Sequence, residues 1–212
     1  VVFPETIPPI EGVNTKNFYS ISAELKQQFS GIYYAYAIIN NVSIENSDSE
    51  LEEAKEQLVS EVSKKDLEYV NSLTSIQAYR DLYKKMGVDW HSKRPSPEAL
   101  LRRIIQGKGL YNINTAVDAY NIAVIDSGIG LGGFDLDKII EPVNLRLSQE
   151  GELMLLLGDD QPTKLEAGSL VYADKEKPLT LHYNYRDNDL TKITKETTNI
   201  MLIADGGAGI KV

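Results

Sequence analysis

RPSPEALLRRIIQGKGLYNINTAVDAYNIAVIDSGIGLGGFDLD, residues Arg94 to Asp137, decides the fold, because it combines the clearest helix, the densest glycine cluster and the best buried polar candidates of the chain. Ser96 can cap a helix, Pro97 fits the first helical position, where its missing N–H costs nothing, and Glu98 complements the positive end of the helix dipole. Leu100, Leu101, Ile104 and Ile105 then make one apolar stripe, Arg102 and Arg103 leave on the other side, and Gly107 supplies a left-handed stop. The spacing predicts a helix from about Pro97 to Gln106.

From Asn114 onward, Val117, Tyr120 and Val124 recur at helical spacing, which sets Asp118 and Asn121 beside each other on one face. That face offers a polar site, or else these residues tie down the preceding loop as Asx side chains often do. Gly128, Gly130 and Gly133 spell G-x-G-x-x-G, but the context for a dinucleotide cradle fails. Helical rather than strand pattern precedes the glycines, and only Phe134 to Ile140 separates them from Pro142, too short for the helix that must follow. They read as a tight loop where backbone can approach a ligand.

Outward from this stretch, the 212 residues suffice for a sizeable core in one domain, with 93–212 carrying its main pattern and 1–92 a helix-rich first part. The absence of cysteine excludes disulfides, thiol nucleophiles and Cys-ligated metal. No segment has the length of a membrane span, and the start VVFPET lacks the layout of a signal peptide, so a cytoplasmic protein is expected. A net charge of −9 opposes general affinity for nucleic acid, and DNA is not an expected partner. Between Arg80 and Lys108, however, eight basic residues face three acidic ones, a local +5 that leaves −14 for the rest. Within it Lys93, Arg94, Arg102, Arg103 and Lys108 are candidates to hold an RNA end, unless the run is simply a solvated helical face.

Thr15 to Ile44 reads as a strand, a helical turn around Glu24 to Phe29, and a longer strand Ile32 to Ile39 whose apolar residues on both faces suggest a central position. NSDSELEEAKEQLVSEV predicts a capped helix with Leu51, Ala54, Leu58 and Val62 on its inner side, and Thr74 opens another through Ile76, Tyr79, Tyr83 and Met86. After Pro142 short strands follow: Val143–Leu147, Glu152–Leu157, Leu170–Ala173, Leu179–Arg186 and Asn199–Ile203. Helices first and strands last indicate an α+β fold with helices layered on antiparallel or mixed sheets.

His91 and His182 are isolated, and no metal-binding spacing, nucleophile elbow or P-loop occurs, so neither a metal nor a cofactor is expected. Asp135 and Asp137 before Lys138 read as the start of a turn or short helix rather than an acid pair.

The series SPEALLRR (96–103), INTAVDAYN (113–121), FDLDKI (134–139), VNLRLSQEGE (143–152), LVYAD (170–174) and ITKETTNIMLI (193–203), in that order and at those spacings, resembles the tRNA-editing B3/B4 domain of the phenylalanyl-tRNA synthetase β subunit. The helical first third resembles free-standing proteins that carry this domain alone. The resemblance implies a three-layer sandwich of two sheets and a helical layer. It also implies a pocket where water, positioned by backbone and polar groups, hydrolyses the ester of a mischarged tyrosyl-tRNA. By position Asn121 matches a pocket asparagine and Leu157 a pocket wall; Tyr120, Gly130, Gly132, Tyr183, Asn184, Asp187 and Ile203 also fall on pocket positions, where this chain departs. The family's histidine in the Gly132 loop and its late glutamate, here Ile203, bind the tyrosine hydroxyl, and both are missing. Tyr120 replaces a threonine, Tyr183 and Asn184 an alanine and a glycine, while Arg186 and Asp187 put a charged pair in place of a glycine-rich turn.

Two functions from different classes follow. One is a deacylase that removes a wrong amino acid from tRNA in trans, with Asn121 and the 128–133 segment as reacting face and the basic run holding the RNA end. The other is a binding module for an amino acid, a nucleoside or an RNA end, without turnover. A third, a nucleotide-cofactor oxidoreductase, rests on the glycine pattern alone. No ATP-binding catalytic domain is visible, so the 212 residues do not read as a complete ligase.

Overall fold

The computed structural model describes residues 19–207 and 209–212, so the start of the strand expected from Thr15 lies outside the described residues. The first half runs β1 (Tyr19–Ile21), α1 (Ala23–Gln28), β2 (Tyr33–Asn40), α2 (Ser49–Val62), α3 (Leu67–Ser72), α4 (Thr74–Lys85), α5 (Ser96–Ile105) and α6 (Thr115–Ser127). The second half runs β3 (Leu131–Asp135), β4 (Val143–Leu147), β5 (Leu153–Met154), β6 (Thr163–Lys164), β7 (Leu170–Ala173), β8 (Pro178–Leu181), β9 (Arg186–Asp187) and β10 (Asn199–Gly206). A five-stranded sheet has the order β1-β4-β7-β8-β9, with β1 parallel to β4 and the other neighbours antiparallel. An antiparallel sheet of order β2-β10-β3 faces it, and β5 with β6 forms a small hairpin.

Alternation along β10 explains the layering. Met201 and Ile203 join Phe134, Leu145, Leu170 and Tyr172 in the core between the two sheets, whereas Ile200 and Leu202 pack with Val117 and Tyr120 of α6. A third apolar cluster, including Val62, Val70, Ile76, Leu101, Ile104 and Val124, holds the helices to one another. The α+β class and its three layers are therefore as expected, with mixed rather than purely antiparallel pairing.

Two buried ion pairs tie the helical layer. Lys55 of α2 meets Asp118 of α6 at 2.8 Å, and Arg80 of α4 grips Glu98 of α5 with two bonds of 2.8 and 2.7 Å while also reaching Asn71 of α3. Asp118 also accepts the Ile113 N–H, so it ties down the loop before α6, and Asn114 caps that helix by accepting from Val117 N–H. Gly128 closes α6 in the left-handed conformation, φ 69°.

Several expectations need correction. The helix of the opening stretch begins at Ser96 and ends at Ile105, with Pro95 as its cap residue; Ser96 therefore cannot cap, and its Oγ has no hydrogen-bond partner. Instead of a loop, Gly132 and Gly133 lie inside β3, paired with Ile203 and Leu202. β2 is an edge strand, its Tyr33 and Ile39 exposed while Ile38 points to the core: apolar residues on both faces do not distinguish a central strand from an edge strand with small and aromatic outer residues. Leu179–Arg186 is not one strand but β8, a turn and β9, and α3 was not anticipated. Among the described residues no helix is long and apolar enough to cross a membrane.

Candidate functional site

A cavity of about 430 Å³ opens between α5, α6 and the strands. Tyr120 and Asn121 enter it from α6, Gly132 from β3, Tyr183 and Asn184 from the turn after β8, Arg186 and Asp187 from β9, Ile203 and Asp205 from β10, and Leu157 lies at its edge. Residues far apart in the chain, from Tyr120 to Asp205, thus converge, because β3 and β10 pair in register and α6 lies across them. Of the residues expected in the pocket, Gly130 is not a wall residue. Its role is steric: a Cβ there would overlap Asn184 Nδ2 and lie 3.2 Å from Asp205 Oδ2. Gly133 lets the Tyr120 ring lie against the strand, since a Cβ would come 2.6 Å from Cε1.

The turn joining β8 to β9 is strained: His182 and Tyr183 adopt φ of 52° and 72°, where side chains are disfavoured. Packing imposes it. Tyr183 is fully buried, stacks on Tyr172 at 5.7 Å between ring centres, and its hydroxyl lies 2.7 Å from the Gly206 carbonyl. The conformation delivers Asn184 to the cavity wall, where its Oδ1 accepts from the Tyr83 hydroxyl (2.8 Å). Asn184 Nδ2 sits beside Asp205 and offsets part of the burial cost of that carboxylate, but completes no regular hydrogen bond. His182 packs beside Lys93, Nε2 to Nζ 3.2 Å, and burial together with this ammonium lowers its pKa to about 4.

Two carboxyl groups face this space. Burial holds Asp205 well above the usual carboxylate range, and nearby Asp187 adds to the effect; Tyr172 Oη donates to its Oδ1 at 2.9 Å. Burial also pushes Asp187 up to about 7, and no hydrogen bond or ion pair reaches its carboxyl from the described residues. The expected Arg186–Asp187 pair is thus not formed: Arg186 is taken by Asp159, at 2.9 Å, and by the Leu157 carbonyl instead. Asp135 and Asp137 lie elsewhere; Asp135 caps a short 3₁₀ turn and accepts from Thr197.

Sequence reading missed Asp205, Tyr172, Tyr79 and Tyr83. A usable signal existed for Asp205, which follows Met201 and Ile203 at the two-residue period of an inward-facing row. The Tyr79 hydroxyl bridges the strands instead, accepting from Gly130 N–H and donating to the Asp205 carbonyl, 2.8 and 2.7 Å away.

The basic run does not line the cavity, though Arg103 lies over Tyr111 of its wall, and it is smaller than its sequence suggested. Arg80 is buried on Glu98, and Arg102 is held by the same carboxylate at 2.7 Å. Burial works against ionisation of Glu98, yet the bonds from Arg80 and Arg102 outweigh it and lower the pKa. Lys108 is exposed, Arg94 stands 3.9 Å from Glu98, and Arg103 lies 3.8 Å over the ring of Tyr111. Tyr111, Ile113 and Leu157 are exposed apolar residues at the cavity wall. No group of His, Asp or Glu able to hold a metal occurs among the described residues.

A family model described as "B3/4 domain" matches residues 78–212. The chain is 33% identical over 102 residues to the phenylalanine–tRNA ligase beta subunit of Yersinia pestis, covering 48% of this chain and 13% of that one. It is also 33% identical over 108 residues to the subunit of the same name in Cutibacterium acnes, covering 51% and 12%. The chain thus spans a small fraction of the length of these curated relatives. Among solved structures, an N-terminal fragment of the phenylalanyl-tRNA synthetase beta subunit from Pyrococcus horikoshii aligns over 89% of this chain and 42% of that one, with 15% identity and a TM-score of 0.43.

Proposed function

The chain belongs to the B3/4 domain family, and from that membership we propose that it binds the aminoacylated end of a tRNA and hydrolyses the ester of a wrongly attached amino acid in trans. One observation carries the reading: the positions singled out by resemblance, Tyr120, Asn121, Gly132, Leu157, Tyr183, Asn184, Arg186 and Asp187, line a single cavity of about 430 Å³. That size suits a ligand of amino-acid dimensions. The carbonyl carbon takes up water, the ester C–O bond breaks, and free amino acid and a tRNA hydroxyl result. Asn121 and Asn184 are the polar groups that orient the ester and the attacking water in this reading.

The RNA end lies, on the same reading, along Lys93, Arg94, Arg102, Arg103 and Lys108. Arg103 over Tyr111 offers a face on which a terminal base stacks. Residues 1–212 act as one B3/B4-like domain in this proposal, supported by the Lys55–Asp118 bond between the two parts, and the setting is cytoplasmic. The test is a panel of mischarged tRNAs incubated with the purified chain, following loss of the aminoacyl ester, with Asn121→Ala as control. Hydrolysis of one or more members, reduced in the variant, supports the proposal; saturable binding with no hydrolysis makes the cavity a binding module, and the absence of both binding and hydrolysis sinks both readings.

A further inference from the structure

We propose that Asp187 makes this cavity an ammonium-binding site, taking a ligand that carries a primary amine on an apolar or aromatic body. The inference deepens the reading above by naming what the same cavity selects, and needs no RNA or turnover for its test.

The argument is one of missing partners. Asp187 is half-buried at the cavity surface, and an ionised carboxyl whose contact with water is restricted by apolar walls gains more from a counter-charge than one in open solvent. Asp187 lines the cavity, yet the cation that lines it beside Asp187 is committed elsewhere: Arg186 is bonded to Asp159 and the Leu157 carbonyl. The titratable groups facing it are Asp205 from β10 and Tyr120 from α6, neither of which supplies a positive charge. Asp205 makes the vicinity more negative still. A carboxyl in such a place has its affinity unspent within the fold.

A second unmet group lies in the same wall. Asn184 is 8% exposed, and its Nδ2 stands beside Asp205 without completing a regular hydrogen bond, while Oδ1 is fixed by the Tyr83 hydroxyl. The cavity therefore offers an acceptor with a negative charge and a donor that can take an oxygen of the ligand. Aromatic residues Phe134, Tyr172 and Tyr120 form much of the remaining wall, and ring faces attract a desolvated cation. An apolar body with an ammonium at one end satisfies all three features; an anionic ligand meets two carboxyl groups instead.

The experiment compares 2-phenylethylamine with its neutral isostere 2-phenylethanol, by NMR titration of the purified chain. At about pH 8, where a group with pKa about 7 is ionised, the amine is expected to bind at least about tenfold more tightly than the alcohol. Asp187→Asn should erase that preference while its circular dichroism spectrum stays native, and the wild-type preference should shrink at about pH 5 as Asp187 takes up a proton. Equal binding of amine and alcohol, no saturable binding of the amine, or a preference that survives in Asp187→Asn overturns the proposal. Each of these leaves the deacylation assay with its own answer, so the two readings fail separately.

Discussion

Lys55 Nζ and Asp118 Oδ2 lie 2.8 Å apart between α2 and α6, both side chains almost fully buried, and the same ammonium also reaches Glu52 and Asn112. The pair joins the helix-rich first part of the chain to the helix that carries Tyr120 and Asn121. Removing Asp118 leaves the ammonium its Glu52 partner, whereas removing Lys55 leaves the buried Asp118 carboxylate with the Ile113 N–H but no counter-charge, which costs about 3–5 kcal/mol. Lys55→Met alone should therefore destabilise the fold by that order in urea denaturation near neutral pH, while its combination with Asp118→Leu should cost markedly less. A fully additive double variant would mean that the pair does not couple the two helices.

Leu101 is 1% exposed in the centre of the helical cluster, against residues such as Ile76 and Val124. Leu101→Ala removes its side chain from a packed core and should lower stability by about 2–5 kcal/mol, measured by the same denaturation. Leu101→Met conserves volume and should cost less than about 1.5 kcal/mol.

The helix bearing Leu101 was legible because Pro97 and Gly107 punctuate a strict apolar period, signals that act within one or two turns of chain. The cavity was legible only through an ordered series of motifs, since its walls come from segments that local pattern cannot join. What stayed hidden depended on partners distant in sequence. Arg80 looked like a surface charge until Glu98, 18 residues on, took it inside. Asp187 looked like the partner of Arg186, but Arg186 is taken by Asp159 and the Leu157 carbonyl instead. The left-handed backbone at His182 and Tyr183 has no local signature, because tertiary packing rather than glycine imposes it.

Asp187 links the cavity to pH. Burial raises its folded pKa to about 7, above the ordinary carboxylate value of 3.8, so between these values the native state holds more protons than the unfolded chain. Stability from this group is then present at low pH and lost as pH rises through about 7. Asp187→Asn keeps the shape and removes the ionisation, so its advantage over wild type should grow from about pH 5 to about pH 8, reaching about 2–4 kcal/mol. His182 runs the other way: with its pKa depressed to about 4 by burial and Lys93, wild-type stability falls as pH drops below about 6.5. Comparing the two proteins at each pH cancels that contribution, and a constant difference across the range would show that Asp187 does not titrate as described.

RNA binding, if it follows the proposed path, should be weak, because −14 outside the basic run repels phosphate. Charge reversal at Lys93, Arg94 and Lys108 should weaken tRNA binding and flatten its salt dependence, measured by fluorescence anisotropy across a salt series. Arg102 is excluded from that set because Glu98 already holds it, and its loss would disturb α5. Unchanged affinity in the triple variant would reduce the run to a solvated face.

Selectivity between tyrosine and phenylalanine offers the sharpest reading of the cavity. A site built around a buried phenol hydroxyl, with both donor and acceptor in place, discriminates by about 10⁴–10⁵. Here Gly132 contributes no side chain and Ile203, 1% exposed, presents hydrocarbon. Asp187 is the acceptor nearest this wall, 3.9 Å from where a Cβ at Gly132 would stand, and it offers no matching donor when ionised. A phenol directed at Ile203 loses hydrogen bonds to water at a cost of about 1–3 kcal/mol, while one directed at Asp187 gains a single charged acceptor worth a similar amount. The two nearly cancel, so hydrolysis of tyrosyl and phenylalanyl esters on the phenylalanine tRNA should proceed within about tenfold of each other. Any small preference for tyrosine should vanish in Asp187→Asn. Tyrosine-selective deacylation by a factor of thousands, retained in that variant, would require a hydroxyl site that the geometry around Gly132 and Ile203 does not contain.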